Sequence, residues 1–105
     1  PQEQAPDDMD LCVLFSNALD NAIHACRELP PPQRSIEIRA GVQHSFLVLE
    51  ITNSVPAGTK APVYGTGLGN MQAIAQKYAG ALQTDVKDGH FHLSILLNLH
   101  TKPSA

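Results

Sequence analysis

Residues 10–28, DLCVLFSNALDNAIHACRE, decide how this chain is read. Leu11, Phe15, Ala18, Ala22 and Cys26 recur at spacings of three and four, so they share one face of a helix. Asp7, Asp8 and Asp10 suit the positive end of that helix, and Pro30-Pro31-Pro32 stops it. Asn17 and Asn21 stand four positions apart, about 40° around the axis, so both amides project from one stripe. Two neutral oxygen ligands on one stripe suit a Mg²⁺ that keeps several waters and takes its other ligands from phosphates. The competing reading is an ordinary solvated helix face, because Asn needs no special reason to be exposed.

Working outward, residues 1–9 read as a polar, Pro-bearing, disordered leader, residues 10–100 as one domain and residues 101–105 as a tail. Ile36, Ile38, Ala40 and Val42 alternate with Glu37 and Arg39, which predicts a half-buried strand. A second strand, 46–53, puts Leu47, Leu49, Ile51 and Asn53 on one face. Residues 54–67 are rich in Gly, Pro and small residues and form a loop. Leu68, Met71, Ile74, Ala75 and Tyr78 then predict a second helix, ended by Gly80. Strand 81–87 turns at Asp88-Gly89 and returns with Phe91, Leu93, Ile95, Leu97 and Leu99 on one face. The pattern gives an α+β fold: a two-layer α/β sandwich with helices on one face of a mixed, largely antiparallel sheet.

Composition excludes several classes. A chain of 105 residues with 43% hydrophobic content supports one core. Net charge is −3, from 7 basic against 10 acidic residues, so no strong basic field exists to hold nucleic acid or an anionic membrane. The apolar runs are far shorter than the roughly 20 residues of a membrane helix. Cys12 and Cys26 are 14 positions apart on one helix, or about 21 Å by the helical rise, and a disulfide needs Cα atoms within about 7 Å. Both cysteines are expected to be free, in a reducing compartment. The first residue is Pro rather than Met, and the chain reads as a piece of a longer one.

The run Gly65-Thr66-Gly67-Leu68-Gly69 leads into the second helix. Glycines let the backbone approach a phosphate closely, and free N–H groups at a helix start favour an anion. A flexible linker is the alternative, since a glycine run alone is weak evidence. No Walker lysine follows, and no acidic residue sits where a dinucleotide site would want one. His90 and His92 lie at i and i+2 on one strand face, opposite Phe91, Leu93 and Ile95. They fit the wetter face of the sheet, and a bound metal is the other reading.

Taken together, these boxes resemble the ATP-binding domain of the GHKL superfamily, in the Bergerat-type fold. The nearest likeness is to the catalytic domain of sensor histidine kinases of the quorum-sensing and virulence-regulator type. Asn17-Ala18-Leu19-Asp20-Asn21-Ala22 matches the family's Asn box, and Gly65-Thr66-Gly67-Leu68-Gly69-Asn70-Met71 its second glycine box. Asp88-Gly89-His90-Phe91 and the strand after it match the closing hairpin. The resemblance implies that ATP and Mg²⁺ bind between the two helices, under a mobile lid at residues 54–64. Asn17 and Asn21 are then the metal ligands, with Asn53, Gly65, Gly67, Leu68 and Gly69 around the nucleotide. The γ-phosphoryl group passes to a histidine on a separate dimerisation domain, a response regulator lies downstream, and the domain is cytoplasmic.

This chain departs from the family pattern in three places. Asn53-Ser54-Val55-Pro56-Ala57 stands where the first glycine box usually is, so an amide replaces the adenine-binding Asp. That amide either meets the base or caps the strand end through a local hydrogen bond. His24 occupies the place of a phosphate-reaching Lys, for which Lys60 or Arg27 could compensate. The helix and strand that usually precede the Asn box are missing. A GHKL ATPase or an anti-sigma serine kinase would carry Glu at position 17, because hydrolysis needs a carboxylate to deprotonate water. A degenerate, nucleotide-free interaction module is the non-catalytic alternative.

Overall fold

In the computed structural model, residues 6–59 and 66–99 are described. Helix α1 spans Asp8–Cys26. It starts earlier than the leader assignment allows, because the Asp7 side chain accepts from the Met9 N–H at 2.8 Å and caps the first turn. Asp8 and Met9 are therefore helix, not leader. The buried stripe is Leu14, Ala18, Ala22 and Cys26, with Leu11 and Phe15 half-buried beside it. At the other end, Arg34 donates from Nε to the Leu29 carbonyl at 2.7 Å and from Nη2 to the Arg27 carbonyl at 3.2 Å. Backbone acceptors left open after the last helical turn are satisfied this way.

Four strands follow the order β1-β2-β4-β3: β1 (Ile36–Gln43), β2 (Phe46–Ser54), β3 (Ala81–Lys87) and β4 (His90–Asn98). All three pairings are antiparallel, so the sheet has no mixed part among the described residues. Asp88 and Gly89 both have positive φ (53° and 75°), as a two-residue type I′ hairpin turn requires. Leu49, Ile51 and Asn53 of β2 and Phe91, Leu93, Ile95 and Leu97 of β4 turn toward the helices. They pack on α1 and on Leu68, Met71, Ile74 and Ala75 of α2 (Thr66–Lys77). Burying each large aliphatic side chain contributes about 1.5–3 kcal/mol.

Two expectations need correction. β1 is not half-buried: all eight residues are exposed, Val42 by 62%, because the two helices cover β2, β4 and β3 and stop short of this edge. Nor does Gly80 end α2 by adopting a left-handed conformation. Ala79 does so, at φ 51°, while the Ala79 N–H donates to Gln76 O at 3.1 Å and the Gly80 N–H to Ala75 O at 2.7 Å. That pair of bonds is the Schellman arrangement.

The end of α2 is latched to the start of α1. Lys77 Nζ donates to Asp10 Oδ2 at 2.8 Å, the Tyr78 hydroxyl donates to the same oxygen, and the Asp7 N–H donates to the Tyr78 hydroxyl at 2.9 Å. The side-chain hydrogen bond from Lys77, then that from Tyr78, holds the Asp10 carboxyl below its ordinary range, and Asp10 in turn raises Lys77. A carboxylate whose folded pKa is depressed stabilises the fold above its unfolded pKa, and that contribution fades as pH falls through the lower folded value. The raised Lys77 contributes below its unfolded pKa and loses its effect as pH rises through the folded one. Asp10→Asn is therefore expected to lower the melting temperature between about pH 4 and pH 10, and to match the parent in stronger acid. Melting curves across that range that never diverge would remove the latch from the account.

Candidate functional site

Asp10, Asn17 and Asn21 follow one another at spacings of seven and four, so they share a stripe of α1. Because Asp10 bonds to Lys77 and Tyr78, that stripe is the one turned toward α2. Asn17 and Asn21 are both half-exposed, and neither amide is hydrogen-bonded among the described residues. Both amides thus stand on the stripe of α1 that borders α2. The two helices pack together, with the last turn of α2 pinned at Asp10.

The glycine run is placed in part. Gly65 and Lys60 lie outside the described residues, and so does the 60–64 portion of the expected lid. Gly67, Leu68 and Gly69 fall in the first turn of α2, which begins at Thr66, two residues before the apolar pattern of that helix. Leu68 is buried and anchors the turn in the core. A Cβ on Gly69 would meet nothing within 4 Å, so the backbone there borders open space in the first turn of a helix, whose opening N–H groups have no acceptor within the helix itself. Of the lid, Ser54 is the last residue of β2 and Val55 is buried, its N–H donating to Gly89 O at 3.0 Å. Among the described residues only positions 56–59, a turn closed by the Thr59 N–H on Pro56 O, lie free of the sheet.

Asn53 is completely buried at the end of β2. Its Nδ2 donates to the Ser54 carbonyl at 3.1 Å, and its Oδ1 has no partner. The local strand-end bond expected of Asn is thus present, and it leaves the oxygen unsatisfied. Rotating the amide by half a turn would set Oδ1 against the Ser54 carbonyl oxygen, so the orientation is fixed by electrostatics. An unpaired buried acceptor costs on the order of 1–3 kcal/mol, and a donor supplied by a ligand removes that cost.

The charge that could serve phosphates is on the wrong side for one candidate. Arg27 lines a cleft of about 390 Å³ with Ile23, Cys26, Arg34, Ser35 and Ile36, between the end of α1 and β1. That cleft lies away from the asparagine stripe, and Arg27 does not compensate for His24. His24 itself, three residues after Asn21, stays on the stripe and is exposed. Cys12 and Cys26 are both free, as their spacing requires.

Comparison with known proteins now decides the family. The family model described as GHKL domain matches residues 7–98. This chain is a GHKL domain. Its fold is also that of solved histidine kinase catalytic regions. The catalytic domain of histidine kinase ThkA superposes with a TM-score of 0.72 at 17% identity, over 90% of this chain and 69% of that one. Histidine kinase AdeS of Acinetobacter baumannii gives 0.71 at 19%, over 90% of this chain and 48% of that one. The blue-light activated histidine kinase of Erythrobacter litoralis gives 0.68 at 19%, over 86% of this chain but 30% of that one. No curated protein matches at the level of sequence. The GHKL domain thus spans less than half the length of two of these kinases. No helix among its described residues is long and apolar enough to cross a membrane.

Gly69 offers a direct test of the helix start. Gly69→Ala is expected to keep or raise stability, by up to about 1 kcal/mol, since alanine is the better helix former and has room. The same methyl group is expected to weaken Mg·ATP binding by filling the open space. Thermal melts and calorimetric titration read the two effects separately, and an unchanged affinity would take Gly69 out of the site.

Proposed function

We propose that this GHKL domain binds Mg·ATP along the border of α1 and α2 and serves as the catalytic domain of a sensor histidine kinase. The single observation that carries the nucleotide reading is the buried, unpartnered Oδ1 of Asn53. The residues present fit the group: Asn17 and Asn21 would hold Mg²⁺, and the first turn of α2, with Gly67 and Gly69, would face the phosphates. Bound Mg²⁺ supplies positive charge against the phosphate oxygens. The chain's own part is positioning, which dominates phosphoryl transfer. Asn17 offers no carboxylate to deprotonate a water, which favours transfer to a protein side chain over hydrolysis. The acceptor histidine then lies on a separate dimerisation domain of the parent kinase, a response regulator receives the phosphoryl group, and the work is done on the cytoplasmic side.

The fixed amide also sets the base preference. The adenine amino group can donate to Oδ1, while the second Nδ2 hydrogen can reach ring N1. Guanine presents an acceptor where adenine presents that donor, so GTP would face Oδ1 with like polarity. Asn53→Ala is expected to lower ATP affinity by roughly 3–10-fold, the worth of a neutral hydrogen bond, and to narrow the preference over GTP. Titration of both nucleotides into parent and variant decides it. Unchanged ATP affinity would leave Asn53 with its strand-end bond alone, and no Mg·ATP binding by the folded parent would favour the nucleotide-free interaction module.

A further inference from the structure

We propose that His90 and His92 form a two-imidazole chelate for a divalent transition metal, Cu²⁺ above all, on the sheet face opposite the helices. Two positions apart on β4, both side chains leave the same face, with about 6.6 Å of strand between them. Their ring centroids are 6.4 Å apart and the rings are tilted by 38°.

Each ring is held through Nδ1. His90 Nδ1 lies 3.0 Å from the Asp88 carbonyl oxygen, which can only accept, so Nδ1 carries a proton and Nε2 is the nitrogen that offers a lone pair in the neutral ring. His92 Nδ1 lies 3.0 Å from Thr52 Oγ1, which can accept in the same way. A second ring nitrogen donating to an outer acceptor is what fixes tautomer and orientation in metal-ligating histidines. An ion shared by the two rings would stand about 2.0–2.1 Å from each Nε2.

The surroundings assist without supplying further ligands. Asp85 faces His92 across the β3–β4 pairing, and Glu37 and Glu50 line the shallow cleft of about 270 Å³ that His92 also lines. Against them, Arg39 pairs with Glu37 at 2.9 Å, and Lys87 stands opposite His90. No three His, Cys, Asp or Glu side chains among the described residues are arranged to ligate together, so water completes the coordination. That donor set excludes Mg²⁺, which wants oxygen, and suits the imidazole-binding metals, of which Cu²⁺ binds tightest. The site is therefore separate in place and in chemistry from the asparagine stripe.

The test uses the whole chain with Cys12→Ser, which removes an exposed thiol able to react with Cu²⁺. Titration with Cu²⁺ alone is expected to show one equivalent bound, with an electron paramagnetic resonance signature of two nitrogen ligands. Losing an outer-shell partner already costs about 10–100-fold in affinity, so His90→Ala and His92→Ala are each expected to cost at least that. Thr52→Val should weaken binding less, and His24→Ala and His44→Ala should leave it unchanged. Circular dichroism checks that each variant stays folded. Affinity unchanged in either His90→Ala or His92→Ala, or a spectrum with a single nitrogen, overturns the proposal.

Discussion

Replacing Gly80 by alanine is expected to remove a large part of the stability of this domain. A Cβ at that position would sit 1.7 Å from the Leu96 carbonyl oxygen, 2.6 Å from its carbon and 3.1 Å from Leu97 Cα. Every one of those atoms is backbone of β4, an inner strand of the sheet, and none can swing aside as a side-chain tip would. The chain leaving α2 is also tied there, with the Asn98 N–H donating to Tyr78 O at 2.9 Å and Ala81 paired with Leu96. Relief requires β3, or the whole end of α2, to move off β4. We expect a loss on the order of 3–5 kcal/mol, against a total of about 5–15 kcal/mol for a domain of this kind. Gly41→Ala is the control: its Cβ would meet nothing within 4 Å on the exposed edge strand, and the variant should match the parent within about 0.5 kcal/mol. Urea unfolding of the three proteins reads this directly. A Gly80→Ala midpoint equal to the parent's would mean that the close approach does not exist in solution.

Asn21→Ala is expected to abolish the Mg²⁺-dependent part of ATP affinity and leave the fold intact. The second half follows from the structure: the amide is half-exposed, has no hydrogen bond among the described residues, and sits in a helix interior where alanine is preferred by several tenths of a kcal/mol. The first half follows from its proposed role as a metal ligand, and Asn17→Ala should act in the same direction. Calorimetric titration of ATP with and without Mg²⁺ separates the metal term from contacts to the base. If both variants bind Mg·ATP as the parent does, the metal assignment fails, while the Asn53 contact would still stand on its own test.

Much of this was legible in the chain because its signals are local. The stripe 14, 18, 22, 26 lies on the face that spacings of three and four mark out, with Leu11 and Phe15 at its half-buried margin. Alternation put Leu49, Ile51 and Asn53 on the buried face, and Asp88-Gly89 announced its own turn. The asparagine pair and the glycine run were visible as spacings, and the match to the GHKL family over residues 7–98 bears out the resemblance they suggested. The helix start was missed by two residues because an Asp cap extends a helix beyond its apolar pattern.

Periodicity and turn chemistry, being properties of a few adjacent residues, thus determined the order of the elements and, outside β1, the faces they bury. Tertiary structure decided the rest, because each remaining fact depends on two distant segments meeting. The alternation in β1 says nothing about whether a helix reaches over it, and none among the described residues does. Gly80 looked like a helix stop, and only the approach of β4 shows that it is required for lack of a Cβ. The stripe holding Asn17 and Asn21 could have faced anywhere until Asp10 met Lys77 and Tyr78. Asn53 was a polar residue on an apolar face in the sequence; that its oxygen is buried without a hydrogen-bond partner depends on how the distant segments pack around it.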